Sequence, residues 1–267
     1  MADSWRQAAE ILRARGPAYL VGFAARRLAS YAGIWRRLRR LRRLPPDAAL
    51  EPLISFMVER PDGPAQIVFA MQRPGEIAGL LELVRELRPR VVVEIGTAAG
   101  GTLFLLTRVA APDALVVSLD LPGGAFGGGY HPWRAPLYRS FARDRQRILL
   151  LRGDSHAPRT RARLLAALDA RPIDLLFIDG DHRYAGVKAD FAAYARLVRP
   201  GGLVVFHDIV ADPRQPEMEV ARFWNEISAR LPSHELVERR GQQGYGLGVI
   251  TIPDDGRGVA EALGARS

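Results

Sequence analysis

Residues 90–107, RVVVEIGTAAGGTLFLLT, constrain this chain more than any other stretch. Val91, Val92 and Val93 form a β-branched run that predicts a short strand buried on both faces. Glu94-Ile95-Gly96-Thr97-Ala98-Ala99-Gly100-Gly101 then turns the chain into an apolar helix. In such a unit the glycines let the backbone approach a ligand, and the first free N–H groups of the helix face it. Strand, glycine turn and helix together predict an α/β fold with a ligand at the turn.

The chemistry at the turn narrows the ligand. The dinucleotide pattern G-x-G-x-x-G is absent, because three residues separate Gly96 from Gly100, and the strand closes on the carboxylate of Glu94. A carboxylate there repels a pyrophosphate and attracts a cation. S-adenosylmethionine carries an ammonium and a sulfonium, so E-x-G-x-x-x-G suits it better than a nicotinamide dinucleotide. Further on, Ala114-Leu-Val-Val-Ser-Leu-Asp120 is a second buried strand ending in an acid, the position that holds ribose hydroxyls in such folds. The plainer alternative is a generic βαβ unit whose glycines only shape a turn.

With both strand ends in place the chain resembles the class I S-adenosylmethionine-dependent methyltransferases. The resemblance implies a Rossmann-like, doubly wound, mainly parallel seven-stranded sheet with one antiparallel strand near the C-terminus. Glu94, Gly96, Thr97, Gly100, Gly101 and Asp120 are then the candidate cofactor residues. A third strand, Arg147 to Arg152, is followed by Gly153-Asp154-Ser155-His156, and the resemblance implies that Asp154 and Ser155 touch the adenine.

The fourth strand, Ile173 to Ile178, delivers Asp179-Gly180-Asp181-His182, and the fifth, Leu203 to Phe206, delivers His207-Asp208. In open α/β sheets ligands bind at these carboxyl ends. Asp179 and Asp208 can give hard oxygen ligands to one divalent cation, with Mg²⁺ as the expectation. Such a cation eases the loss of a hydroxyl proton. His182 is the candidate general base, since an imidazole titrates near about 6.5. The third protein ligand is open between Asp181 and His207. Each residue also has a structural reading: Asp179 and Asp181 as helix caps, Asp208 as an arginine partner, His207 as a satisfied core histidine. His131 is a second base candidate, and His156 and His234 carry no argument.

The motifs E-x-G-x-x-x-G, V-S-L-D-L-P, G-D-S-H, F-I-D-G-D-H and G-G-L-V-V-F-H-D are similar to one branch of these enzymes. It holds the cephalosporin hydroxylase-like proteins and the metal-dependent O-methyltransferases of macrolide sugars. The resemblance spans about Pro74 to Thr251. It implies Asp179 and Asp208 as metal ligands, Asp179 also beside the cofactor, and His182 as the base. It also implies methyl transfer to a hydroxyl of a sugar or polyhydroxylated small molecule.

Around that core, residues 1–46 read as a basic helical appendage and 47–73 as a connecting segment that covers the substrate mouth. The catalytic domain is expected at 74–252 and a loose tail at 253–267. Helices are expected over Pro74 to Leu87, Arg159 to Ala170, Tyr184 to Val198 and Glu219 to Leu231, with a final strand pair at Glu235 to Glu238 and Leu247 to Thr251. The glycine-rich stretch after Asp120 reads as a lid with Phe126, Tyr130 and Trp133 as walls, or as a plain connector.

Composition matters at one place. Hydrophobic residues at 48% and charged residues at 25% are ordinary for a globular protein, which excludes a wholly disordered chain. The absence of cysteine excludes disulfides and thiolate metal sites, and fits a cytoplasmic interior. The net charge of +9 is concentrated in Arg36-Arg37-Leu38-Arg39-Arg40-Leu41-Arg42-Arg43. Trp35, Leu38, Leu41 and Leu44 recur at helical spacing between the arginines, the pattern of an amphipathic helix on lipid or on its own domain. Peripheral contact of residues 17–44 with the inner face of a membrane, near a glycan or glycolipid acceptor, and a homo-oligomer are both expected. Nucleic acid is disfavoured, because no recognition motif accompanies the charge. Two rivals remain: a non-catalytic scaffold whose working surface is the basic helix, and a hydroxylase-like enzyme on the same fold.

Overall fold

The computed structural model describes residues 16–18, 21–22, 25, 35–36, 38–41, 43, 49–60, 66–124, 126, 129–254 and 259. Its strands are β1 (Val91–Ile95), β2 (Leu115–Asp120), β3 (Arg147–Arg152), β4 (Ile173–Ile178), β5 (Val198–His207), β6 (Ser233–Leu236) and β7 (Leu247–Thr251). They form one sheet in the order β3-β2-β1-β4-β5-β7-β6. β1 to β5 pair in parallel, and β7 runs antiparallel to both β5 and β6. The fold is therefore a mainly parallel, doubly wound α/β sheet of seven strands, as expected, with β7 as its reversed strand.

The helices are α1 (Glu51–Ile54), running into a π-helical turn at Ser55–Glu59, then α2 (Pro74–Leu87), α3 (Gly101–Val109), α4 (Ala135–Arg139), α5 (Pro158–Leu168), α6 (Tyr184–Tyr194) and α7 (Val220–Ser228). Proline at the first position starts α2 and α5, where its fixed φ suits the first turn and its missing N–H costs nothing. The strands alternate strictly between two apolar layers. Val92, Val116, Leu175, Phe177 and Val205 face the layer of α2, α3 and α4, whereas Val93, Val117, Leu176, Val204 and Phe206 face that of α5, α6 and α7. With every residue of β1 and β2 buried, each large apolar side chain contributes about 1.5–3 kcal/mol of burial.

The order places a switch point between β1 and β4. From β1 the chain steps outward to β2 and β3, then returns across the sheet to β4 on the other side of β1. Helices on opposite faces leave a crevice at the carboxyl ends of these two strands, the usual ligand position.

Three local expectations shift. β5 begins at Val198, so Pro200, Gly201 and Gly202 lie within the strand rather than before it; the register slips between Ile173 and Leu175 to admit them. Asp174 braces this region, accepting the backbone N–H groups of Arg90 and Val91 at 2.8 Å each and the Arg199 guanidinium at 2.6 Å. The helix expected as far as Val198 ends at Tyr194 and tightens to a 3₁₀ turn over Ala195–Leu197. β6 lies two residues earlier than expected, because Ser233 to Leu236 are the residues in register with Ile250 to Leu247.

Most of the appendage expected over 1–46, and the tail beyond Asp254 apart from residue 259, lie outside the described residues. Within the appendage Leu38 is buried in the apolar layer of α2 and α3, and Leu41 packs against it. Leu50, Leu53, Ile54, Phe56 and Met57 of the connecting segment are buried in the same layer. Among the described residues no helix is long and apolar enough to cross a membrane.

The start of α3 is held against the segment before α2. Gly101 N–H donates to the Phe69 carbonyl at 3.0 Å, and a Cβ at Gly101 would lie 2.1 Å from the Phe69 carbonyl carbon. Helix propensity alone favours Gly101→Ala by about 0.5–1 kcal/mol. The overlap is with backbone and costs more, about 1–3 kcal/mol. A lowered urea midpoint is the expected result; a raised one would refute the close approach.

Candidate active site

The crevice opens as a cavity of about 500 Å³, within the range of small-ligand sites. Its walls come from the strand ends. Gly96 and Ala98 follow β1, Asp120 ends β2, Asp154 to His156 follow β3, Asp179 to Arg183 follow β4, and His207 and Asp208 close β5.

Gly96 is required by contact as well as conformation. Its φ is +88°, and a Cβ there would sit 1.8 Å from the carbonyl oxygen of Asp179. Across this junction Asp179 N–H donates to the Ile95 carbonyl at 2.8 Å, and Gly96 N–H donates to the Leu119 carbonyl at 2.9 Å. The turns after β1 and β4 are thus fixed to each other. Gly100, with φ +77°, meets the ring of Tyr138, whose hydroxyl donates to the Ala98 carbonyl at 2.8 Å.

The candidate cofactor residues separate into two groups. Gly96, Asp120, Asp154, Ser155 and Asp179 line the cavity. Glu94, Thr97, Gly100 and Gly101 are not among its walls. Strand alternation explains Glu94: like Val92 it points into the α2 and α3 side of the sheet, not out of the strand end. Glu94 is fully buried and accepts the Thr97 hydroxyl at 2.6 Å, while that hydroxyl lies 2.7 Å from Ser118 Oγ. Burial, against the Thr97 hydrogen bond, pushes the Glu94 pKa up to about 8, and its Oε1 has no hydrogen-bond partner. Asp120 accepts Ala98 N–H at 3.1 Å and Gly129 N–H at 3.0 Å; burial outweighs these bonds and raises its pKa to about 6.

At the ends of β4 and β5 two carboxylates and two imidazoles converge. His182 Nδ1 lies 3.0 Å from Asp208 Oδ2, and His182 Nε2 lies 3.7 Å from Asp179 Oδ1. His207 Nδ1 lies 3.1 Å from Asp179 Oδ1 and 3.2 Å from Asp208 Oδ2. Burial works against positive charge on both rings, yet the adjacent carboxylates prevail and raise both pKa values. Burial likewise works against charge on Asp208, but the histidines hold its pKa below the ordinary value. Asp208 adopts a left-handed backbone with φ +61°, a strain that fixes its carboxylate beside the histidines and that functional sites often carry.

This group fits a divalent cation. Donor atoms of Asp179, His182 and Asp208 all lie within 4.8 Å of one another. Buried His182 Nδ1 and both ring nitrogens of His207 lack a partner in hydrogen-bond geometry, the condition of ligand atoms waiting for a ligand. Carboxylate oxygens and imidazole nitrogens suit hard to borderline divalent ions. Asp181 is otherwise engaged: it accepts the Arg183 guanidinium at 2.9 and 2.5 Å and the Arg183 N–H at 3.1 Å, which lowers its pKa.

Of the expected lid aromatics, Phe126 lies over His182 with ring centroids 5.0 Å apart and lines the cavity. Tyr130 is buried against Tyr138, and Trp133 is half exposed beside Arg134. His131 is exposed, and His234 lies on the edge strand β6.

The sequence motifs assign no role to two further cavity residues. His156 lines the cavity with Nε2 3.3 Å from Asp190 Oδ1 and 3.2 Å from the Gly186 carbonyl, and the Asp190 contact raises its pKa to about 9. Its partner lies 34 positions away on α6, so spacing could not have found it. Tyr245 reaches the cavity from the β6–β7 turn, its ring 5.9 Å from His207 and its N–H 3.2 Å from Asp208 Oδ1. The turn is held by buried Glu76, which accepts Gly246 N–H at 2.9 Å, the Gln242 amide at 2.6 Å and Glu238 N–H at 3.2 Å. An aromatic between Gly244 and Gly246 was the available signal.

Residues 93–209 match the family model described as "Methyltransferase domain". The matched stretch takes in most of β1 and all of β2 to β5. Among curated proteins, "Uncharacterized protein y4gI" of Sinorhizobium fredii is 29% identical over 184 residues, 68% of this chain and 19% of that protein. "Uncharacterized protein R132" of Acanthamoeba polyphaga mimivirus is 54% identical over 43 residues, 15% of this chain and 20% of that protein. The chain spans about a fifth of the length of these curated relatives. Among solved structures, the O-methyltransferase TomG from Streptomyces achromogenes, involved in tomaymycin synthesis and in complex with SAM, is 20% identical with a TM-score of 0.49. That likeness covers 78% of this chain and 91% of TomG. The MycE methyltransferase from the mycinamycin pathway, in complex with Mg, SAH and mycinamycin VI, is 22% identical with a TM-score of 0.42, over 65% of this chain and 48% of MycE.

The raised carboxyl pKa values set a stability profile. Between its ordinary 4.5 and about 8, Glu94 is ionised in the unfolded chain and protonated in the folded one. The unfolded state then binds fewer protons, so stability falls as pH rises through this window. Asp120 adds to the fall between 3.8 and about 6. Urea midpoints measured from pH 5 to 8 are expected to decline less in Glu94→Gln, which keeps the shape of the protonated acid; an unchanged slope would place the charge on Glu94 at neutral pH.

Proposed function

Starting from a methyltransferase domain at residues 93–209, we propose that this protein transfers the methyl group of S-adenosylmethionine to a hydroxyl of a sugar or polyhydroxylated small molecule, assisted by a divalent cation. The observation that carries this reading is the convergence of Asp179, Asp208, His182 and His207 on the cavity that Gly96 and Asp120 enter from the other side of the switch point. In this division, residues 1–46 form the appendage, 47–73 bring Met71 to the cavity, 74–252 form the catalytic domain and 253–267 the tail.

Asp120 receives the ribose hydroxyls, and Asp154 and Ser155 face the adenine. Asp179, which bridges the two turns, lies beside the sulfonium end. Asp179 and Asp208 hold the cation, with the His207 ring as the third protein donor because Arg183 occupies Asp181. When bound, the cation lowers the cost of negative charge on a hydroxyl oxygen and orients neighbouring hydroxyls, as suits a polyhydroxylated acceptor.

With a cation offsetting the carboxylate charge that raises its pKa, His182 would be neutral and would accept the acceptor's proton. A hydroxyl oxygen lone pair forms the new bond to the methyl carbon, the carbon–sulfur bond breaks onto sulfur, and S-adenosylhomocysteine remains. Alignment supplies most of the acceleration. Phe126 covers the His182 ring and limits the water that reaches it.

Calorimetric titration with S-adenosylmethionine and S-adenosylhomocysteine, with Mg²⁺ and with a chelator, tests the assignment. Both ligands are expected to bind, and a screen of polyhydroxylated acceptors is expected to give products heavier by one methylene. His182→Ala should lower turnover by about 10²–10⁴-fold with methyl-donor affinity little changed. Asp208→Asn should remove the Mg²⁺ dependence. Failure of the folded protein to bind either ligand would refute the activity; full activity in chelator would refute only the cation.

A further inference from the structure

The ten arginines between Ile11 and Pro46 face no acidic residue in that stretch, and the net charge of the whole chain is +9. The rest of the chain therefore sums to −1. All of the excess positive charge lies on one segment that the methyl-transfer site does not use.

The described part of that segment shows how the charge is presented. Leu38 is 1% exposed within the apolar layer of α2 and α3, and Leu41 packs against the same layer. Arg36, Arg39, Arg40 and Arg43, which flank and separate these leucines, are exposed. Among the described residues they form no ion pair. The leucine stripe is thus committed to the protein's own core, and cannot also be the stripe that inserts into lipid. What remains outward is a row of guanidinium groups on a fixed support. Val21 is 68% exposed and Trp35 37% exposed on the same appendage.

We propose that this arginine face docks the protein on an anionic lipid bilayer, by headgroup contact rather than deep insertion. Charge complementarity selects an anionic partner, because juxtamembrane basic residues are drawn to acidic leaflets and their attraction decays within a Debye length. The exposed Trp35 selects a bilayer over a nucleic acid, since indole rings partition to the interface between headgroup and water. The remainder of the chain, at a net −1, adds no net attraction for a phosphate backbone. The inference is independent of the methyl-transfer reading.

Sedimentation of the full-length protein with vesicles tests it, using phosphatidylcholine alone, phosphatidylcholine with phosphatidylglycerol, and the latter with duplex DNA as competitor. Binding to the anionic vesicles only, lost at high salt and kept in the presence of DNA, is expected. Each arginine at the surface is worth about fivefold in partition. The combined Arg36→Gln, Arg39→Gln, Arg40→Gln and Arg43→Gln variant should therefore bind several hundredfold more weakly, at about 600-fold by simple product. Its thermal midpoint should stay at the wild-type value, because the four side chains are exposed. Equal partition of wild type and variant, equal binding to neutral and anionic vesicles, or displacement from vesicles by DNA would each overturn the proposal.

Discussion

The junction between the turn after β1 and the turn after β4 is the constraint on which the site depends. Gly96 presses so closely on the Asp179 carbonyl that no side chain fits between them, and the Asp179 N–H closes the junction on Ile95. One backbone contact therefore sets the distance between the cofactor side and the acid–histidine side of the cavity. An error of an ångström there would misalign the proposed methyl transfer, whose rate would rest mainly on alignment. It also explains why a left-handed glycine is needed at this position and not merely a small residue.

Around this junction the carboxylates are handled in different ways. Glu94 is sealed behind the turn and favours its protonated form, because nothing but a hydroxyl compensates its burial. Asp120 stands at the cavity with backbone N–H groups on its oxygens. Asp208 is half-buried between imidazoles and favours its charged form. The carboxyl group is thus held in different protonation states at different sites, set by which groups replace water. The β6–β7 turn completes the arrangement: Glu76 on α2 satisfies its N–H groups, and the turn in return carries Tyr245 to His207.

The appendage draws on the same core in another way. By burying Leu38 and packing Leu41 it gains a fixed attachment to the α2 and α3 layer, and Arg36, Arg39, Arg40 and Arg43 are left outside. An amphipathic pattern by itself is neutral between lipid and protein as the apolar partner. Here the protein's own core takes the apolar side.

Much of this was legible along the chain. The valine run, the continuous apolar runs of β2 and β4, and the glycine turn after Glu94 specify strands, helices and their order, because each depends on neighbours a few residues apart. The carboxyl-end acids Asp120, Asp179 and Asp208 were legible for the same reason, each closing an apolar run. What only the tertiary structure decided is which side chains meet. The sequence could not tell that Glu94 points away from the cavity, that His156 meets Asp190, or that Arg183 occupies Asp181. Nor could it tell that Tyr245 arrives beside His207 from the far end of the chain. Helix docking and loop closure bring His156 to Asp190 across 34 positions and Tyr245 to His207 across 38, and local periodicity carries no information at that range.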